Sequence, residues 1–258
     1  MSEPKTDDLK TGTFDTWARI EQRKAANAVV VVKVDDKAAA RQSIVAAVRR
    51  AGYEFKTRSD WKAKEPATSP DTDWNYKAIA IHHAGNSYSC AADGAAELRK
   101  AEATDIASFG FISYHYAIDC HGVVYEALDI RYRGAHIEGG NTGVIGVVFL
   151  ADFSVRGEAE EHGPGAWNVT KKRGVVAGTK EWLGAQNDKL SVRHDEPTEK
   201  QLQAASALTK VLVASFKIKT LGGHREFAKT HGTSRACPGT HGLIIADMLR
   251  REFGLAAP

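Results

Sequence analysis

The sequence predicts an α/β domain with a central mixed β-sheet flanked by helices and a small N-terminal extension ahead of it. Three observations carry this reading. Short apolar runs of strand length recur (AIAI at residues 78–81, VIGVVFL at 144–150). A hairpin turn is signalled by Asp119-Cys120-His121-Gly122. Stretches with helical periodicity alternate with the strands.

Taken in order, residues 1 to about 26 are polar. Residues 28–34, almost all valine, read as a strand, and residues 37–51 read as a helix carrying Ile44, Val45 and Val48 on one face. Residues 1–60 are therefore an extension with no assigned role. Residues 60–73, rich in Pro, Ser, Thr, Asp and Lys, form a linker or irregular wrap before a main domain spanning 61–258. Within that domain, 95–106 is a helix, 113–118 and 123–128 are hairpin strands, and 144–150 is a buried strand. The charged, glycine-punctuated segment 154–197 reads as an insertion able to shape a groove, with a helix near 175–183. Thr198 and Gln201 have capping-box spacing at the head of a helix carrying Leu202, Ala205, Leu208, Leu212 and Phe216. A last helix covers 243–253.

Composition excludes several classes. With 43% hydrophobic residues the chain is globular, and a net charge of +3 spread over scattered Lys and Arg gives no nucleic-acid footprint. The first residues lack an apolar core of signal-peptide length, and no segment is apolar for long enough to span a bilayer. The expectation is a chain made in the cytoplasm without a signal peptide or transmembrane segment. Three cysteines, Cys90, Cys120 and Cys237, show no CxxC spacing, and the odd count leaves at least one thiol free.

The chemistry-bearing residues fall in four stretches: Ile81-His82-His83, Ser113-Tyr114-His115, Gly222-Gly223-His224-Arg225-Glu226 and Ala236-Cys237-Pro238-Gly239. Singly each has an ordinary reading, since a histidine beside glycines can cap a strand and a lone cysteine packs as a small hydrophobe. Together, two imidazole nitrogens and a thiolate make a catalytic zinc set, in which three protein ligands leave the fourth tetrahedral position to water, whose pKa falls to about 7.

In the order IAIHHAG, ISYHYAIDCHGVVYE, RGAHIEGGNTGVIGVVFLADF, PTEKQL and GGHREFAKTHGTSRACPG, residues 61–253 resemble the type 2 N-acetylmuramoyl-L-alanine amidases. That family shares its fold with peptidoglycan recognition proteins and the bacteriophage lysozyme-type amidases. The resemblance implies a peptidoglycan recognition protein/amidase-like fold and zinc as cofactor, held by His82, His224 and Cys237. His83 then alternates to the other face of its strand. It also implies a role for Tyr114 beside the attacking water, and for Arg235 in stabilising the oxyanion, where several amidases carry lysine. His136 and Asn141 would line the muropeptide groove. The glutamate used by another subgroup falls on Val148. The loop from His224 to Cys237 is longer than in compact relatives, which makes His231 a rival ligand, and Cys90 and Cys120 match a disulfide found in some relatives.

The activity implied is zinc-dependent hydrolysis of the amide between N-acetylmuramic acid and the L-alanine of the stem peptide, with peptidoglycan or muropeptides as partners. The alternative is a recognition module that binds peptidoglycan without cutting it. The expected settings are a phage endolysin or an interbacterial effector, reaching the wall by phage lysis or a secretion system and accompanied by an immunity or delivery protein. His121, His162, His194 and the Lys171-Lys172-Arg173 triplet read as turn or surface residues.

Overall fold

The computed structural model describes residues 9–13, 29–33, 35–163 and 195–258. The helix expected at 175–183, His194 and the basic triplet at 171–173 lie outside the described residues.

The chain divides into two compact units, 1–43 and 44–258. In the first, β1 (Leu9–Thr13) pairs in parallel with β2 (Val29–Lys33), Leu9 opposite Val29. Helix α1 (Asp36–Arg50) runs across the division. Within the stretch read from sequence as the 1–60 extension, Ile44, Val45, Val48 and Phe55 are buried in the core of the larger unit.

The larger unit is built on a six-stranded sheet ordered β3-β6-β5-β7-β4-β8. Its strands are β3 (Phe55–Lys56), β4 (Ala78–His83), β5 (Tyr116–Ile118), β6 (Val124–Glu126), β7 (Val144–Phe149) and β8 (Thr220–Gly223). Only the β5–β6 hairpin is antiparallel, so the sheet is mixed, as the sequence predicts. Both hairpin strands are shorter than expected. The helices are α2 (Gly94–Phe109), α3 (Glu158–His162), α4 (Glu199–Ser215), α5 (His224–Thr230) and α6 (Gly239–Phe253). Among the described residues no helix is long and apolar enough to cross a membrane.

Alternation along the central strands sorts the core. Ile79, Ile81, Ile145, Val147, Phe149, Tyr116 and Ile118 join one cluster with Leu208 and Leu212 of α4 and Ile245 and Leu249 of α6. Burying each large apolar side chain there contributes about 1.5–3 kcal/mol. On the opposite face Ala117, Val148 and Leu150 pack with Leu98 and Trp61, while Ala78, Ala80 and Val144 meet Ile137 and Phe227.

Local chemistry fixes the connections. Asp119 Oδ1 accepts from the amides of His121 (2.9 Å) and Val123 (3.0 Å), closing the hairpin turn. Thr198 Oγ1 accepts from Gln201 N (3.1 Å) and Gln201 Oε1 from Thr198 N (3.0 Å), completing the expected capping box. The same hydroxyl donates to Cys120 O at 2.7 Å, and Cys120 is disulfide-bonded to Cys90 with Cα atoms 5.7 Å apart. Asp152, three residues after β7, meets Asp195, four residues before α4: Asp195 N donates to Asp152 O (2.7 Å) and Asp152 N to Asp195 Oδ2 (2.8 Å), which fastens these two points of the chain together.

Candidate metal centre

Strand pairing brings two of the expected ligands together. In the parallel register Ile81 lies opposite Gly223, so the next residues, His82 at the end of β4 and His224 at the start of α5, emerge side by side with ring centroids 4.7 Å apart. The third, Cys237, sits on the loop into α6. Gly239, two residues on, holds φ at +77°, and a Cβ there would lie 2.2 Å from Phe153 O. Glycine is what lets this loop press against the Phe153 backbone and carry the thiol inward.

One donor atom from each of His82, His224 and Cys237 lies within 4.8 Å of the others. Tetrahedral zinc with bonds of about 2.05 Å to nitrogen and about 2.3 Å to sulfur sets those two donors about 3.6 Å apart. The His82 Nδ1 to Cys237 Sγ separation is 3.5 Å. Donor chemistry and spacing therefore fit the metal.

The surrounding hydrogen bonds select the nitrogen. His82 Nε2 lies 3.0 Å from His136 Nδ1, and His136 Nε2 lies 3.3 Å from Val144 O. A carbonyl only accepts, so His136 carries its proton on Nε2. Its Nδ1 then accepts from His82 Nε2, which leaves the His82 Nδ1 lone pair facing the thiol. Room for His136 comes from Gly146 on β7, where a Cβ would lie 2.7 Å from the imidazole.

Burial holds these imidazoles neutral. His82 and His136 are pushed well below the usual histidine value by desolvation, with further lowering from neighbouring histidines. His224 is lowered to about 3 by burial and by Arg235. Burial raises the Cys237 thiol to about 12, so without a metal it stays protonated; a bound cation would deprotonate it. Neutral imidazoles with free lone pairs are ready to bind metal.

Tyr114 stands next to this set, its ring 4.9 Å from His82, with a phenol pKa raised by burial and then by Cys237. Arg235 acts electrostatically on both His224 and Cys237, while its guanidinium bonds Glu138 Oε2 (2.7 Å) and Ser234 O (2.8 Å). Asn141 Oδ1 accepts from the amides of His136 (2.8 Å) and Ile137 (2.7 Å) and so closes the turn that presents His136. His83 faces the other side, accepting from Phe153 N at 3.0 Å. His231 is exposed, packs over Gly140 and is absent from the ligand group, and Val148 is buried opposite His82 in the sheet register.

Three further residues received no role from the sequence, although His115 and Arg225 lie within the stretches singled out there. His115 is buried behind His136, its Nδ1 accepting from Gly146 N (3.0 Å) and its Nε2 lying 3.0 Å from Tyr132 O. Arg225 follows His224 directly, and its partner Glu158 lies in the charged insertion, where composition gives no reason to single it out.

Comparison with known proteins places these residues in a family. A model described as N-acetylmuramoyl-L-alanine amidase matches residues 70–240, a span holding every candidate ligand. Peptidoglycan-recognition protein SD of Drosophila melanogaster is 31% identical over 111 residues, covering 41% of this chain and 59% of the relative. The chain spans less than two thirds of the length of the first curated relatives it matches. Two solved structures share the fold. One is peptidoglycan recognition protein-LE in complex with tracheal cytotoxin (TM-score 0.55, 19% identity, 78% of this chain and 95% of that one). The other is an endolysin N-acetylmuramoyl-L-alanine amidase from Clostridium intestinale (TM-score 0.52, 15% identity, 79% and 97%). With the family model matched from β4 through β8 and across all three candidate ligands, the chain belongs to the N-acetylmuramoyl-L-alanine amidase family that also relates it to the peptidoglycan-recognition proteins.

Proposed function

We propose that this chain is a zinc-dependent amidase that hydrolyses the bond between the lactyl group of N-acetylmuramic acid and the L-alanine of the peptidoglycan stem peptide. The observation that carries the reading is the convergence of His82, His224 and Cys237 at zinc-ligand spacing. When bound there, zinc supplies a water activated near neutral pH and a Lewis acid for the scissile carbonyl.

The chain's own residues do the rest. His136, bonded to His82 Nε2, fixes the ring and tautomer that offer Nδ1. This hydrogen bonding favours a positioning task for His136 and Asn141 over direct contact with the muropeptide. Tyr114, kept protonated by burial, acts as a hydrogen-bond donor toward the reacting oxygen rather than as a base. Arg235, held on Glu138, contributes positive charge where an oxyanion develops. Because the substrate is cell-wall material, an endolysin or antibacterial effector setting belongs to the same proposal.

The test is digestion of purified peptidoglycan, with the released fragments identified by mass spectrometry. Stem peptides with a free L-alanine amino terminus are expected from the wild type. They should disappear with a chelator, return on adding zinc, and be absent with Cys237→Ala. An uncut wall that still binds the protein would replace this reading with a recognition module.

A further inference from the structure

We propose that the buried Glu158–Arg225 ion pair is the positioning clamp of the metal centre, holding the Cys237 loop in register with His224. The inference rests on the zinc reading above.

Arg225 is 6% exposed and Glu158 3%. Arg225 Nε donates to Arg235 O at 3.2 Å and its Nη2 donates to Ala236 O and to Glu158 Oε1. The two carbonyls belong to the residues immediately before Cys237, so the residue beside one ligand grips the backbone leading to another. From the far side, Glu158 accepts from Thr240 N (3.0 Å) and Thr240 Oγ1 (2.9 Å), in the first turn of α6 just past Cys237-Pro238. Val155 N also donates to Glu158 (2.8 Å), which ties the arrangement to the chain leaving β7. Burial acts to raise the Glu158 pKa, but these hydrogen bonds outweigh it and hold the carboxylate in its charged form.

The pair thus brackets the Cys237 loop from both ends without touching the thiol. A buried pair replaced by apolar side chains of similar size often leaves stability unchanged or improved. Its retention here is explained by what it grips. The planar guanidinium reaches Arg235 O from Nε and both Ala236 O and Glu158 from Nη2, donors fixed about 2.3 Å apart; an ammonium has three donors but they radiate from a single nitrogen and lack this spread.

The experiment compares full-length wild type with Arg225→Lys and with the double variant Arg225→Met/Glu158→Leu, which removes both charges together. Zinc affinity is read by competition with a chromogenic chelator, and cobalt(II)-substituted protein is read for its thiolate-to-metal charge-transfer band. Circular dichroism and thermal melting report the fold. The expected result is a folded double variant whose zinc affinity is 10–100-fold weaker, the range typical of lost outer-shell support, with a weakened or shifted thiolate band. Arg225→Lys should show the same direction of change, because charge alone does not restore the fork. Wild-type affinity and spectrum in both variants would overturn the clamp and leave the zinc site standing. A wild type with no thiolate band on cobalt would overturn the zinc reading and the clamp with it.

Discussion

On one face of β4 and β7 stand Ile79, Ile81, Ile145, Val147 and Phe149; on the other stand Ala78, Ala80, Val144, Gly146 and His82. The same two strands therefore serve two unlike purposes through nothing more than side-chain alternation. The first face is filled by large apolar groups that helices α4 and α6 cover. The second is kept small, and the space is used by imidazoles in a row: His82, His136 behind it and His115 behind that, with ring centroids 4.9 Å and 5.9 Å apart. Along these two strands the apolar face is given to packing, while the other face divides between the candidate metal centre and a second apolar cluster around Val148, Leu150, Leu98 and Trp61.

The largest effect that would test this contrast is Phe149→Ala on the apolar face. It should cost about 3–5 kcal/mol in denaturant unfolding, through lost transfer energy and the cavity left behind. Zinc stoichiometry of the folded fraction should stay at the wild-type value. A proportionate loss of zinc binding would mean the two faces are not separable.

A second effect concerns protons on the site face. His115 is lowered to about 4 by burial, so the folded state resists protonation that the unfolded chain accepts below about 6.5. The unfolded chain thus binds more protons across that window, and stability falls as pH drops from about 6.5 to 4, by roughly 3 kcal/mol at the acid end. Imidazole nitrogen NMR on the folded protein should show His115 neutral at pH 5, with the proton on Nε2. A doubly protonated ring at that pH would refute the assignment.

The smallest change is Gly146→Ala, one methyl group added where the His136 ring now lies. Overpacking of this kind costs about 1–3 kcal/mol. Here it should also weaken zinc affinity, because displacing His136 frees the His82 ring, so affinity and stability should fall together on this face and not on the other.

Much of this was legible in the sequence, for identifiable reasons. The run at 78–81 ending in two histidines announced a buried strand with a site at its end, and parallel pairing with β8 supplied the rest. The capping box at Thr198 was legible because both partners lie three residues apart. By contrast β1, with the sequence LKTGT, has a single apolar side chain and a glycine in its interior, and β3 is two residues long. The hairpin strands read too long because their ladder turns irregular beyond Tyr116 and Glu126: the His115 and Tyr114 carbonyls still accept from Ala127 and Leu128, but His115 N donates to Gly146 O and Ser113 N to Asp105. The three candidate ligands were legible as residue types, but the choice of His82 Nδ1 depends on a histidine 54 positions away. Glu158 meets Arg225 across 67 positions, a distance at which no local pattern exists.

The reciprocal bonds between Asp152 and Asp195 have a practical side. An excursion whose two feet are already joined can be opened, shortened or exchanged with little effect on the path of the rest of the chain, since the cost of closing it grows only slowly with length. The junction sets where the chain leaves Asp152 and enters α4 through bonds that do not involve the intervening residues, a separation a protein engineer could use when exchanging what lies between.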